Sequence, residues 1–205
     1  AQMRGNRTVR MDGKKKIIVA VTGASGSLYG RLLCRRLAGA EEVGEIALVV
    51  TDNGRRVASF EDSDAWMSDP RFTLYDNADL FGAPASGSAG YDAMAVAPCS
   101  MGMAGRIAAG VSDDLVSRAA DVMLKERRPL VLVTRETPFG TIHLRNLTTL
   151  SECGAIVCPA CPSFYSHPSD IESLCSTVVE RAVSLLGVRI PHFEWGTPDE
   201  GKIRE

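Results

Sequence analysis

The chain has 205 residues, 45% of them hydrophobic, and its 23 Lys and Arg against 25 Asp and Glu give a formal net charge of −2. That length suits one domain with a full core, and the near-balance of charge gives no reason to expect a nucleic-acid partner or a charged membrane surface. No apolar run approaches the roughly 18 residues that cross a bilayer, so a soluble, cytoplasmic protein without a membrane partner is expected.

Residues 1–15 are polar and basic, with no apolar stretch of the kind that marks a secretory signal, and read as a flexible arm. An α/β domain is expected over 16–195 and a tail over 196–205. Residues 16–22, KIIVAVT, predict a buried strand. It runs into Gly23-Ala24-Ser25-Gly26-Ser27 and a helix over about 28–37. Small residues let backbone N–H groups approach an anion at a helix N-terminus, where the dipole also favours negative charge. The spacing of Gly23, Gly26 and Gly30 is neither G-x-G-x-x-G nor a Walker loop. A phosphate-bearing cofactor and a tight strand–helix connection therefore both stay open, with Ser25 adding a hydroxyl donor. A second strand, 46–51, ends in Thr51-Asp52-Asn53, where an acid suits an adenosine ribose and keeps a nicotinamide reading open. A helix over 54–60 leads to the polar run Glu61-Asp62-Ser63-Asp64. Residues 65–92, rich in Pro and small residues, predict a mobile loop over a site.

A third strand, 93–97, is followed by Pro98-Cys99-Ser100-Met101-Gly102-Met103 and an Ala/Gly-rich helix to about 110. This second strand, small loop and helix offers backbone donors to another part of the same ligand. Cys99 is a candidate nucleophile, though no histidine lies nearby in sequence. In residues 114–138, DLVSRAADVMLKERRPLVLVTRETP, the positions Leu115, Ala119, Val122 and Met123 form one apolar helical face. Arg118, Asp121 and Lys125 share another, and Arg118 and Lys125, two turns apart, project the same way. Pro129 ends the helix. A buried strand over 130–133 then delivers Arg135 and Glu136 to its carboxyl end, the edge where open parallel sheets bind ligands. Four ionisable groups are thus expected at one crevice.

A helix over 141–152, a fifth strand over 155–157 and a loop containing Phe164-Tyr165 come next. The last helix is predicted to start with Ser169 as N-cap and Glu172 in a capping box, and to stop at Gly187. Leu174, Val178 and Leu185 form its apolar stripe. Arg181 on that stripe either takes an anionic ligand or satisfies itself at an edge or on a core acid. Alternating strands and helices predict a single-domain α/β fold, a doubly wound, Rossmann/flavodoxin-like parallel sheet with helices on both faces. Most of the six cysteines read as small buried hydrophobes. Cys158 and Cys161 form a CPAC sequence, a redox pair or plain loop packing; with no second CxxC, no metal site is expected.

Arg118, Lys125, Arg135 and Arg181, with Tyr165 as a neutral donor, are more than one phosphate requires and suit a second. Glu136 adjoins them and can move a proton. If the bond being broken is carbon to phosphate oxygen, such cations stabilise the leaving phosphate. Asp113-Asp114-Leu115-Val116-Ser117 lacks the last Asp of the DDxxD pair that holds magnesium in allylic transferases, so fixed cations would replace the metal.

Thr22-Gly23-Ala24-Ser25-Gly26 with Tyr29-Gly30, Pro98-Cys99-Ser100, the block from Arg118 through LKERRPLVLV to Arg135-Glu136-Thr137-Pro138, His143-Leu144-Arg145 and Phe164-Tyr165 resemble the UbiX-type flavin prenyltransferases. The resemblance runs from about residue 16 to 195. It implies an enzyme that joins a dimethylallyl group from dimethylallyl phosphate to N5 and C6 of reduced FMN, giving prenylated FMN for a partner UbiD-type decarboxylase. By motif it implies FMN contacts from Gly23, Ala24, Ser25, Thr51, Ser100 and Arg135, alongside the Met101, Gly102 and Met103 backbone. It gives the prenyl phosphate to Lys125, Tyr165 and Arg181, with Arg118 assisting across a subunit contact, and acid/base work to Glu136 with Glu61. It further implies metal independence and a dodecamer. Two positions depart: Leu80 stands where some members have tryptophan, whose π face would stabilise an allylic cation, and Thr134 where proline is common. An NAD(P)-dependent reductase would need Tyr-x-x-x-Lys, and none of Tyr29, Tyr75, Tyr91 or Tyr165 has a lysine four residues on. A flavoprotein decarboxylase of cysteine-derived peptides would want a histidine after the first glycine loop. A flavin carrier would not need Arg118, Lys125, Tyr165 and Arg181.

Overall fold

The computed structural model describes residues 13–62 and 64–191; most of the expected basic arm, the end of the domain and the tail lie outside them. The described chain forms one sheet of six parallel strands: β1 (Lys15–Val21), β2 (Val43–Val50), β3 (Thr73–Asp76), β4 (Ala93–Cys99), β5 (Leu130–Thr134) and β6 (Ile156–Pro159), ordered β3-β2-β1-β4-β5-β6. The helices are α1 (Ser27–Ala38), α2 (Asp52–Glu61), α3 (Met101–Ala108), α4 (Leu115–Lys125), α5 (Thr141–Glu152) and α6 (Ile171–Leu185).

The central strands are apolar throughout because both faces of the sheet are covered. Successive side chains alternate between faces. Ile17, Val19 and Val21 of β1, with Ala95 and Val133 from neighbouring strands, join Leu33, Leu37, Val179 and Val183 of α1 and α6 in one core. Ile18, Ala20, Val96 and Leu132 join Leu115, Ala119, Val122 and Met123 of α4 in the other. The predicted apolar face of α4 is therefore the one that packs. After β3 the chain returns to the middle of the sheet, and its order reverses between β1 and β4. Such a reversal leaves a crevice outside the carboxyl ends of the two strands, the usual ligand site in this fold class.

Two glycines let helices seat this closely. A Cβ at Gly30 of α1 would lie 2.6 Å from the Ala97 carbonyl oxygen, and one at Gly54 of α2 would lie 2.6 Å from that of Val21.

Several expectations need correction. Residues 65–92 are not a featureless loop. They contain 3-10 turns at Ala65–Ser68, Ala83–Ala85 and Gly87–Ala89 and the strand β3, which pairs with β2. β3 was illegible because its sequence, TLYD, is largely exposed at the sheet edge and lacks an apolar run. Asn77 ties the segment to α4, its carbonyl accepting from Leu115 N (2.8 Å) and its side chain from Val116 N (3.1 Å). The cap of α6 is Asp170, not Ser169: the Asp170 carboxylate accepts from Ser173 N at 2.7 Å, and Ser173 completes the box in place of Glu172. The buried stripe of α6 runs through Cys175, Val178, Val179, Ala182 and Val183, and Arg181 is exposed. Its position three after Val178 follows the stripe's period but falls on its rim.

Candidate active site

The first loop leaves β1 at Thr22, which is 2% exposed. Its hydroxyl donates to the Pro98 carbonyl (2.7 Å) and accepts from Ser100 N (2.9 Å), so one side chain locks the loop after β1 to the loop after β4. Gly26 turns the chain into α1 at φ 100°, a left-handed conformation open to glycine. The α1 N-terminus, which the sequence leaves open to a phosphate or to a plain strand–helix connection, holds the carboxylate of Glu61. Gly26 N donates at 2.8 and 3.0 Å, Ser27 N at 2.8 Å and Ser27 Oγ at 2.9 Å. Burial alone would raise the Glu61 carboxyl; hydrogen bonds from Ser25, Gly26 and Ser27 outweigh it and hold the group below the usual carboxylate range. Ser25 and Glu61, distant in sequence, thus meet at the mouth of the glycine loop.

Thr51 caps α2, accepting from Gly54 N at 3.0 Å, and Ser100 caps α3, accepting from Met103 N at 3.2 Å. Both hydroxyls stand at carboxyl ends of strands beside Gly23 and Ala24. A Cβ at Gly23 would collide with Asn53 Cβ at 2.7 Å, whereas one at Gly102 meets nothing within 4 Å among the described residues. Gly23 is needed for the loops to touch; Gly102 faces open space that a ligand can use. Cys99 is fully buried, and burial pushes its thiol up to about 12, against a weaker opposing hydrogen bond from Ala104, which removes it as a nucleophile at neutral pH.

Arg135 follows β5, its backbone N–H donating to the Cys99 carbonyl at 3.3 Å. Its Nε is buried and has no hydrogen-bond partner among the described residues. A buried guanidinium nitrogen without an acceptor is costly unless an anion completes it, so this side chain suits an acceptor oxygen of a ligand. Tyr29 entered the sequence reading as part of a motif and not as a site residue. It is buried, bonded to Cys175 and within electrostatic range of Arg135, and desolvation together with that bond raises its phenol well above the ordinary range. Thr22 was also passed over except as part of a motif. The available signal was a hydroxyl residue closing an all-apolar strand. Glu136 is half-buried, and its Oε1 accepts from Thr137 N at 2.9 Å.

The cations do not all reach this crevice within one chain. Arg118 donates to the Ala85 carbonyl (3.1 Å) and pairs with Asp121 (2.8 Å). Lys125, at the last turn of α4, pairs with Glu126 at 3.2 Å. That turn adjoins the amino end of β5, while Arg135 and Glu136 stand at the other end; the 5 residues of β5, at about 3.3 Å each, separate the two by roughly 16 Å. The expectation that helix and strand would deliver four groups to one crevice is thus corrected: α4 runs antiparallel to β5, so its C-terminal cation points to the opposite edge. Tyr165 is exposed in the loop after β6, and Arg181 lies close enough to Cys158 for its charge to act on that thiol. Among the described residues no group of three or more His, Cys, Asp or Glu could hold a metal ion.

The family described as Flavoprotein matches residues 6–183. A flavin prenyltransferase UbiX from Methanocaldococcus jannaschii is 39% identical over 185 residues, covering 89% of this chain and 99% of that protein. The chain belongs to the UbiX flavin prenyltransferase family. Two solved UbiX-type structures share its fold. AnUbiX (PadA1), in complex with FMN and dimethylallyl pyrophosphate, is 37% identical with a TM-score of 0.80, over 88% of this chain and 100% of that one. A dodecameric FMN-dependent UbiX-like decarboxylase from Escherichia coli O157:H7 is 38% identical with a TM-score of 0.84, over 89% and 100%. The Flavoprotein match spans every candidate site residue from Gly23 to Arg181.

Proposed function

We propose that this chain is a flavin prenyltransferase that joins a dimethylallyl group from dimethylallyl phosphate to N5 and C6 of reduced FMN. The observation that carries the reading is the unpartnered, buried Arg135 Nε beside Glu136, where β5 opens onto the switch-point crevice. A site built for a phosphate-bearing flavin accounts for it. Gly23, Ala24, Ser25, Thr51, Ser100 and the Met101–Met103 backbone would line the flavin's crevice with Arg135.

Reduced FMN supplies the nucleophilic nitrogen and carbon. The chain's own residues bind the donor, stabilise the phosphate as the carbon–oxygen bond breaks, and move protons. Lys125, Tyr165 and Arg181 hold that phosphate, Arg118 assists, and fixed cations take the place of a metal. Glu136, half-exposed at the crevice, moves protons at N5 and the leaving phosphate, with Glu61 and Ser25 assisting. Because Lys125 lies at the far edge of its own sheet, the complete site is assembled from neighbouring copies. Exposed Phe60, Phe81, Ile142, Phe164 and Ile171 support association, and the dodecamer known for the E. coli relative is the arrangement proposed. The product, prenylated FMN, passes to a UbiD-type decarboxylase in the cytoplasm.

The test incubates the protein anaerobically with reduced FMN and dimethylallyl phosphate or diphosphate. Mass spectrometry is expected to find a flavin heavier by one C5 unit. No adduct with either donor overturns the reading.

A further inference from the structure

We propose that Cys158 and Cys161 form a thiol–disulfide exchange site whose oxidation displaces the loop carrying Tyr165 and weakens use of the prenyl phosphate. The second half rests on the donor role assigned to Tyr165 above. Both thiols are free; Cys158 is half-buried near the end of β6 and Cys161 is exposed. Between them the chain reverses: Cys161 N donates to the Pro159 carbonyl at 2.7 Å, an i to i+2 bond of the γ-turn kind. Ala160 N donates to the Thr134 carbonyl at 2.8 Å, holding the turn to β5 one residue before Arg135. The next tie is Ser163 N to Thr177 Oγ1 at 3.0 Å. The segment bearing Tyr165 thus starts from two short anchors, and Cys161 sits between them.

The other cysteines are poorly placed to compete. Cys34, Cys99 and Cys175 are buried, and Cys153 lies beyond the amino end of β6, at the opposite edge of the sheet. Burial raises the Cys158 thiol, Arg181 opposing, so the exposed Cys161 reacts first and Cys158 resolves. Cys161 Sγ attacks a low-molecular-weight disulfide, breaking its S–S bond and releasing one small thiol. Cys158 Sγ then attacks Cys161 Sγ and releases the second. Two protein thiols are oxidised, the small disulfide is reduced to two thiols, and the protons stay with those thiols. A disulfide needs Cα atoms about 4.4–6.8 Å apart; forming it draws Cys161 toward Cys158 about the turn at 159–161 and carries the Tyr165 loop with it.

The full chain is treated with oxidised glutathione, blocked, fragmented and analysed by mass spectrometry. Turnover is then measured anaerobically with photoreduced FMN. A bond between Cys158 and Cys161 is expected, with the KM for dimethylallyl phosphate raised about ten-fold, the size of one lost hydrogen bond to a charged group. FMN affinity stays unchanged, and dithiothreitol reverses the effect. Cys161→Ser should be insensitive to oxidation and Cys153→Ser should behave as the unsubstituted chain. Recovery of Cys161 only as a mixed disulfide, or unmodified, overturns the exchange site. The bond formed with KM unchanged overturns its link to Tyr165. If the reduced protein makes no adduct at all, the transferase reading fails, while the bond mapping still decides the exchange site.

Discussion

Glu61 and Glu136 are both carboxylates at the carboxyl edge of the sheet, and their surroundings differ. Glu61 is held by four donor contacts at the α1 N-terminus, whereas Glu136 has a single backbone donor within its own turn. A carboxyl whose folded pKa is depressed contributes stability above its unfolded value, near 4.5 here, and loses it as pH falls through the folded value. Glu61→Gln is therefore expected to cost about 0.5 kcal/mol at neutral pH, given one exposed helix-terminal charge. The difference should vanish well below pH 4.5, as urea denaturation at the two pH values would test. Glu136→Gln is expected to retain FMN, measured by fluorescence titration, while turnover falls by about 10²-fold or more, the usual contribution of a positioned acid or base. Unchanged turnover would remove Glu136 from the mechanism.

At the scale of elements, glycines separate packing from ligand space. Gly54→Ala places a methyl 2.6 Å from the Val21 carbonyl, a backbone atom that cannot swing aside, so a loss of about 1–3 kcal/mol is expected from the denaturation midpoint. Gly102→Ala meets nothing within 4 Å among the described residues and removes glycine's entropic cost from a helix. Its stability should hold or rise, while FMN affinity falls if that space belongs to the flavin. Unchanged affinity would place the flavin elsewhere. Elements were legible where periodicity was strong. The apolar faces of α4 and the runs of β1 and β5 read directly because burial on both sides leaves little choice of residue. β3 and the cap of α6 did not read: an exposed edge strand needs no apolar run, and several adjacent polar residues, Ser169 and Asp170 among them, can each cap a helix.

At the scale of the whole molecule, the candidate site residues divide between the two edges of the sheet. Arg135 and Glu136 occupy one edge of the sheet and Lys125 the other, so chains lacking one should complement chains lacking the other. Co-expressed Lys125→Ala and Glu136→Gln chains, each inactive alone, are expected to recover turnover in mixed assemblies. Recovery would fail if each site were built from one chain.

The sequence by itself determined the layered α/β architecture, the two glycine-bearing loops and the ionisable residues available for chemistry, because periodicity and residue type are local properties. Only the tertiary structure decided which of them meet. Glu61 fills the α1 N-terminus, Thr22 locks two loops 76 positions apart, and Lys125 is carried to the far edge. Each outcome depends on strand order and helix direction, which arise from packing the whole chain around its two cores.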